Sequence, residues 1–104
     1  MNKVIIIGKL PQDPDLRYTP NGKAVCSFAV AVSFTTKVRA EIDYIDCVAW
    51  DALAVTIGAN LAKGRRVAVE GRLHTRQFET ADGQRKKVTE VVARDVEFLD
   101  IPYE

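Results

Sequence analysis

"DYIDCVAW", residues 43–50, runs straight into "DALAVTIGANLAKG", residues 51–64, and the hydrophobic period changes at the join. In the first run a two-residue period puts Ile45, Cys47 and Ala49 on one face and Tyr44, Asp46, Val48 and Trp50 on the other, as in a β-strand. In the second, Leu53, Ile57 and Leu61 recur every four residues, with Asp51 placed to cap the start and Gly64 just past the end. This is the one convincing helix of the chain. The strand before it has a small, apolar face suited to a core, yet its opposite face carries two large rings.

Working outward from this junction, short runs rich in β-branched and aromatic residues alternate with turn signals. "NKVIIIGK" (2–9) predicts a strand, and "LPQDPDLRYTPNG" (10–22) a proline-punctuated loop with a short strand over 16–19. "KAVCSFAVAVSF" (23–34) predicts a long strand in which Cys26, Phe28, Val30 and Val32 alternate with the small Ser27, Ala29 and Ala31. Past the helix, "RRVAVEGRLHTRQFE" (65–79) and "QRKKVTEVVARDVEFL" (84–99) flank "TADG", whose Asp-Gly pair marks a tight hairpin. Five principal strands with one helix between the third and fourth predict an all-β, five-stranded OB-fold Greek-key barrel, a single domain over residues 1–104.

With 104 residues, 47% hydrophobic and 28% charged, the chain has material for one core. A domain of this size buries only roughly 60 to 70% of its unfolded surface, so a partner chain would help it. There is no apolar run of about 18 residues and no basic-then-apolar leader pattern, so the expectation is a cytoplasmic, nucleoid-associated protein, neither exported nor membrane-bound. Cys26 and Cys47 fall at core-facing parity and are expected as buried thiols, not a disulfide. One histidine and no close cysteine pair leave no zinc-ligand spacing, and neither a metal nor another cofactor is expected.

A net charge of +1 conceals an uneven distribution. Residues 1–62 balance six basic against six acidic side chains, whereas residues 63–94 hold nine basic against four acidic, a local net of +5. The last ten residues carry Asp95, Glu97, Asp100 and Glu104. A positive field therefore covers the two C-terminal strands, where it can attract a polyanion.

"NKVIIIGKLPQDPDLRYTPNGKAV", "DYIDCVAW", "LAKGRRVAVEGRLHTRQFE" and "DGQRKKVTEVVA" together resemble the bacterial single-stranded DNA-binding proteins, over nearly the whole chain. "QDPDLRYTPNG" and "EGRLHTR" carry the most weight, because OB-folds have no common signature of their own. The resemblance implies a DNA-binding OB-fold without catalysis, assembled as dimers or tetramers, that wraps exposed single strands during replication, recombination and repair. It assigns base stacking to Tyr44, Trp50 and Phe78, with Phe34 as the candidate for a fourth ring at the end of the second long strand. Members of the family usually continue through a flexible linker to an acidic tip that recruits replication and repair proteins. Here the sequence stops at "FLDIPYE", and no linker or typical acidic tail is read in it.

The chemistry agrees with that assignment. A protein that must hold any base cannot depend on hydrogen bonds to base edges, but every base offers a flat face to an aromatic ring, worth ~1 to 3 kcal/mol per base. Tyr44 and Trp50, six residues apart on one face, would lie about 20 Å apart at roughly 3.3 Å per residue, which suits separate bases. Arg72, His74 and Arg76 alternate with Leu73 and Thr75 and continue in parity to Phe78, so cations for phosphates share a face with a ring. Arg85, Lys86 and Lys87 extend the basic zone past the hairpin turn. Asp46 departs from the pattern, since a carboxylate between Tyr44 and Val48 repels phosphate unless a neighbouring arginine neutralises it.

Other readings of the same residues stand beside this one. Exposed aromatics on a strand also pack against a second chain, and the Arg-Leu-His-Thr-Arg alternation also suits a solvated sheet face. A functional alternative is an OB-fold protein-interaction module, such as a primosomal replication-restart factor. For assembly, the unbroken run from Lys3 through Val4, Ile5, Ile6 and Ile7 asks for cover on both faces of the first strand, which predicts a homo-oligomer, a tetramer built from dimers.

Overall fold

The computed structural model describes residues 1–99. The closing "DIPYE", with the charges of Asp100 and Glu104, lies outside the described residues. Six strands and one helix follow in the order β1 (Val4–Lys9), β2 (Asp15–Tyr18), β3 (Ala24–Thr35), β4 (Ala40–Trp50), α1 (Asp51–Asn60), β5 (Arg66–Glu79) and β6 (Arg85–Phe98). The sheet order is β1-β5-β6-β4-β3-β2, and β1 also meets β3 through Lys9 and Ala31. That last contact joins the two ends of the five-strand set and closes the barrel of an OB-fold, with β2 as an added strand on the outer edge of β3. A Cβ on Gly8 would run into the carbonyl oxygen of Ala31, so the closure depends on a residue without one.

Inward parity is set by the small and branched residues of each strand. Cys26, Phe28 and Val30 of β3, Cys47 and Ala49 of β4, Val67 and Val69 of β5 and Val91 and Ala93 of β6 fill the barrel. Ala54, Ile57 and Leu61 close one end of the core. Both cysteines are free and buried. On β1, Val4 and Ile6 pack on the core while Ile5 and Ile7 face out at 64% and 54% exposure. The Asn2 side chain donates to Leu73 O and accepts from Leu73 N, both at 2.8 Å, which continues the β1–β5 ladder beyond the strand itself.

Two expectations for the helix are corrected. Asp51 is its first residue and not its cap; Trp50 occupies the capping position with extended backbone and no side-chain cap bond. The strand turns into the helix so sharply that Asp51 takes a left-handed φ of 59°, a conformation aspartate tolerates better than most side chains. The helix also ends earlier, at Asn60, where Leu61 N–H still donates to Ile57 O. Gly64 lies beyond it in a separate turn, at φ 90°, with its N–H on Leu10 O. Among the described residues no helix is long and apolar enough to cross a membrane.

Candidate nucleic-acid interface

The outward side chains of β3, β4, β6 and β5 form one curved face, and the register fixes who stands beside whom. Val25 is opposite Trp50, Ser27 opposite Val48, Ala29 opposite Asp46 and Ala31 opposite Tyr44. Val48 then pairs with Val92, and Val92 with Arg72. Along the β5–β6 ribbon, His74 is opposite Glu90, Arg76 opposite Val88 and Phe78 opposite Lys86. Ser27, Ala29 and Ala31 of β3 are small, and Ala31 leaves the Tyr44 ring standing proud of its cross-strand neighbour.

Two shallow grooves run over this face. One, of about 400 Å³, is lined by Trp50, Val48, Arg72, His74 and Arg76, with Ser27 and Glu90. The other, of about 470 Å³, lies under Tyr44 and Asp46 and is walled by the 11–13 loop, again with Arg76, Glu90 and Ser27. Arg76 thus sits at the saddle between the two rings. Its guanidinium carbon is 6.0 Å from the centre of the Phe78 ring, and its Nε donates to Glu90 Oε1 at 3.2 Å. Trp50, Phe78 and Tyr44 are 39%, 43% and 65% exposed, so all three rings remain available from solvent.

The sequence-derived candidates divide into three groups. Tyr44, Trp50, Arg72, His74, Arg76 and Phe78 come together on the face, and Lys86 joins them across from Phe78. Arg85 and Lys87 are exposed at the hairpin tip but pair with Glu79 and Gln77, which places them at the opposite parity of the ribbon. Phe34 is not brought to the stacking face. It lies at the parity of Phe28, Val30 and Val32, cross-strand from Glu41, where β3 outruns the barrel and its inner face opens to solvent. Lys3 pairs with Glu70 at 3.3 Å at the start of β1.

Two participants escaped the sequence reading. Lys23 Nζ lies 5.2 Å from the centre of the Trp50 ring, a cation–π contact at the far end of the face. Glu90 lies within the face, across from His74. Both positions follow from hairpin register. From Glu79 back to Gly71 the β5–β6 register was recoverable from "TADG", since Glu79 pairs with Arg85 and each step back along β5 over that stretch adds one along β6. The β3–β4 register was not, because β4 begins at Ala40, earlier than its apolar alternation shows.

The chain matches the single-strand binding protein family over residues 1–99. It belongs to that family. Among relatives, it is 48% identical over 103 residues to the single-stranded DNA-binding protein of Bacillus cereus, 48% to single-stranded DNA-binding protein 2 of Listeria innocua and 46% to single-stranded DNA-binding protein A of Bacillus subtilis. Each alignment takes in 96% of this chain and 61%, 65% and 60% of the relative, so the chain spans a little over three-fifths of their length. Among solved structures, a Plasmodium falciparum SSB in complex with single-stranded DNA superposes at a TM-score of 0.87, with 33% identity and 96% of each chain covered. The family match takes in both the barrel and the β5–β6 ribbon described above.

Proposed function

We propose that this chain binds single-stranded DNA without strict sequence preference, and so serves replication, recombination and repair in the cytoplasm as a binder and not as an enzyme. Bases stack on Trp50, Tyr44 and Phe78, while Arg72, Arg76 and Lys86 meet the phosphates between them. The observation that carries this reading is the common face: three exposed rings and a row of cations on one curved wall, with Arg76 lying between Tyr44 and Trp50. Duplex DNA turns its base faces inward and cannot use such rings. The outward Ile5 and Ile7 support a homo-oligomer of the tetramer kind, in which several faces share one strand and weak contacts combine through effective concentration.

Titration of oligo-dT against the fluorescence of Trp50, the chain's one tryptophan, tests the reading. Emission is expected to be quenched by oligo-dT and to ignore duplex DNA. Trp50→Ala and Tyr44→Ala should each cost about 1 to 3 kcal/mol of binding, the Tyr44→Ala loss read from the remaining tryptophan signal and the Trp50→Ala loss from the anisotropy of a dye-labelled oligo-dT. Equal competition by duplex, or full affinity in both variants, would refute stacking on this face.

A further inference from the structure

Of the three groups Arg72, His74 and Arg76, only Arg76 has an ion-pair partner among the described residues, and that partner lies on the same face. The Arg76 side chain is half exposed, whereas that of Glu90 is only 14% exposed. The two sit on adjacent antiparallel strands as a same-face diagonal pair, two residues apart in register, and Glu90 lines both grooves. Asp46 lines the Tyr44 groove with them, yet Arg76 Nε turns to Glu90.

A carboxylate this enclosed cannot swing away when a strand settles on the face. If a phosphate takes Arg76, Glu90 is left unpaired and close to a second anion; if Arg76 keeps Glu90, its charge is already balanced and draws no phosphate. Either way the face engages its ligand less strongly than a count of its cations implies.

We propose that Glu90 is an internal counter-anion that stands on Arg76 in place of a phosphate, holding the guanidinium over the saddle in the free protein and competing with the nucleic-acid backbone in the complex. It thereby sets a lower affinity and a shallower salt dependence, and eases release of the strand. The proposal rests on the single-strand reading above and adds to it the residue that limits it.

The test is a set of oligo-dT titrations across a range of salt concentrations with the wild type, Glu90→Gln, Arg76→Gln and the double variant. Glutamine keeps the shape of Glu90 and an acceptor for Nε while removing the charge. Glu90→Gln should bind about three- to tenfold tighter at low salt, and the slope of log affinity against log salt should steepen by about 0.7, one phosphate's worth for a single strand. Arg76→Gln should cost more in the Glu90→Gln background than in the wild type. Independently of how Glu90→Gln folds, Arg76→Gln should flatten the wild-type slope less than Arg72→Gln does, because Arg72 has no internal anion to release. Unchanged or weaker binding by Glu90→Gln, or equal slopes for the Arg72 and Arg76 variants, overturns the proposal. A wild type that ignores oligo-dT would bring down the single-strand reading itself, a result distinct from these.

Discussion

The Cys47 thiol records both sides of its strand at once. Burial is the main cause that pushes it up to about 12, and the carboxylates of Asp46 and Glu90, on the outer face, add to the shift. An unfolded chain gives up that proton near the ordinary 9.0, while the folded one keeps it to about pH 12. The unfolded state therefore binds fewer protons across this window, and the contribution present below pH 9 is lost as pH rises through it. Urea unfolding should show stability falling above pH 9 more steeply in the wild type than in Cys47→Ala, by up to about 1.4 kcal/mol per pH unit. Parallel pH profiles for the two proteins would show that the thiol does not titrate in this way. The inward placement of Cys47 was legible from alternation alone, as were the outward Tyr44 and Trp50. Phe34 was not, because parity says which face a side chain takes but not where that face ceases to be core.

At the scale of the element, the feature that alternation could not reveal is the bulge in the β5–β6 ribbon. Glu70 pairs with Asp95 and Gly71 with Ala93, so Arg94 is one residue too many, and inward parity on β6 changes across it from Val91 and Ala93 to Val96. Without the extra residue, Val96 would turn outward and the ribbon would not coil back onto β1. Gly71 makes this possible: a Cβ there would strike the Val92 carbonyl oxygen and lie 2.9 Å from Val92 C and 3.0 Å from Ala93 Cα. These are backbone atoms that cannot step aside. Gly71→Ala is expected to cost about 2 to 4 kcal/mol in chemical denaturation, against roughly 1 kcal/mol for Gly83→Ala at the hairpin tip, where only the φ of 84° is at stake. Similar losses at the two sites would mean that the strands separate readily at Gly71. The strands, the helix and their order were readable from periodicity and turn residues. The bulge was hidden because a single inserted residue resembles ordinary variation in a run as apolar as "VTEVVARDVEF".

For the whole molecule, the question is what covers β1. The four apolar residues from Val4 to Ile7 cannot all point inward from one strand, and the barrel takes Val4 and Ile6 alone. Ile5 and Ile7 stand on the outer surface beside Glu70 and Ala68, with Lys3 bound to Glu70 at the margin. A strip of this kind, apolar at the centre and charged at its rim, suits a second copy related by a twofold axis, which would lay the same strip against itself. Ile5→Glu combined with Ile7→Glu puts like charges together across that axis and beside Glu70, so light scattering at micromolar concentration should report a lighter species than the wild type. The stacking face lies on other strands, so binding of an oligo-dT too short to reach beyond one subunit should change little, within about twofold. Binding of a long oligo-dT should fall by roughly a hundredfold or more, because the second and later faces no longer act at the effective concentration that assembly provides. Equal masses for variant and wild type would move the interface elsewhere on the barrel, and equal losses on short and long oligo-dT would show that β1 supports the binding face itself and not the joining of several faces.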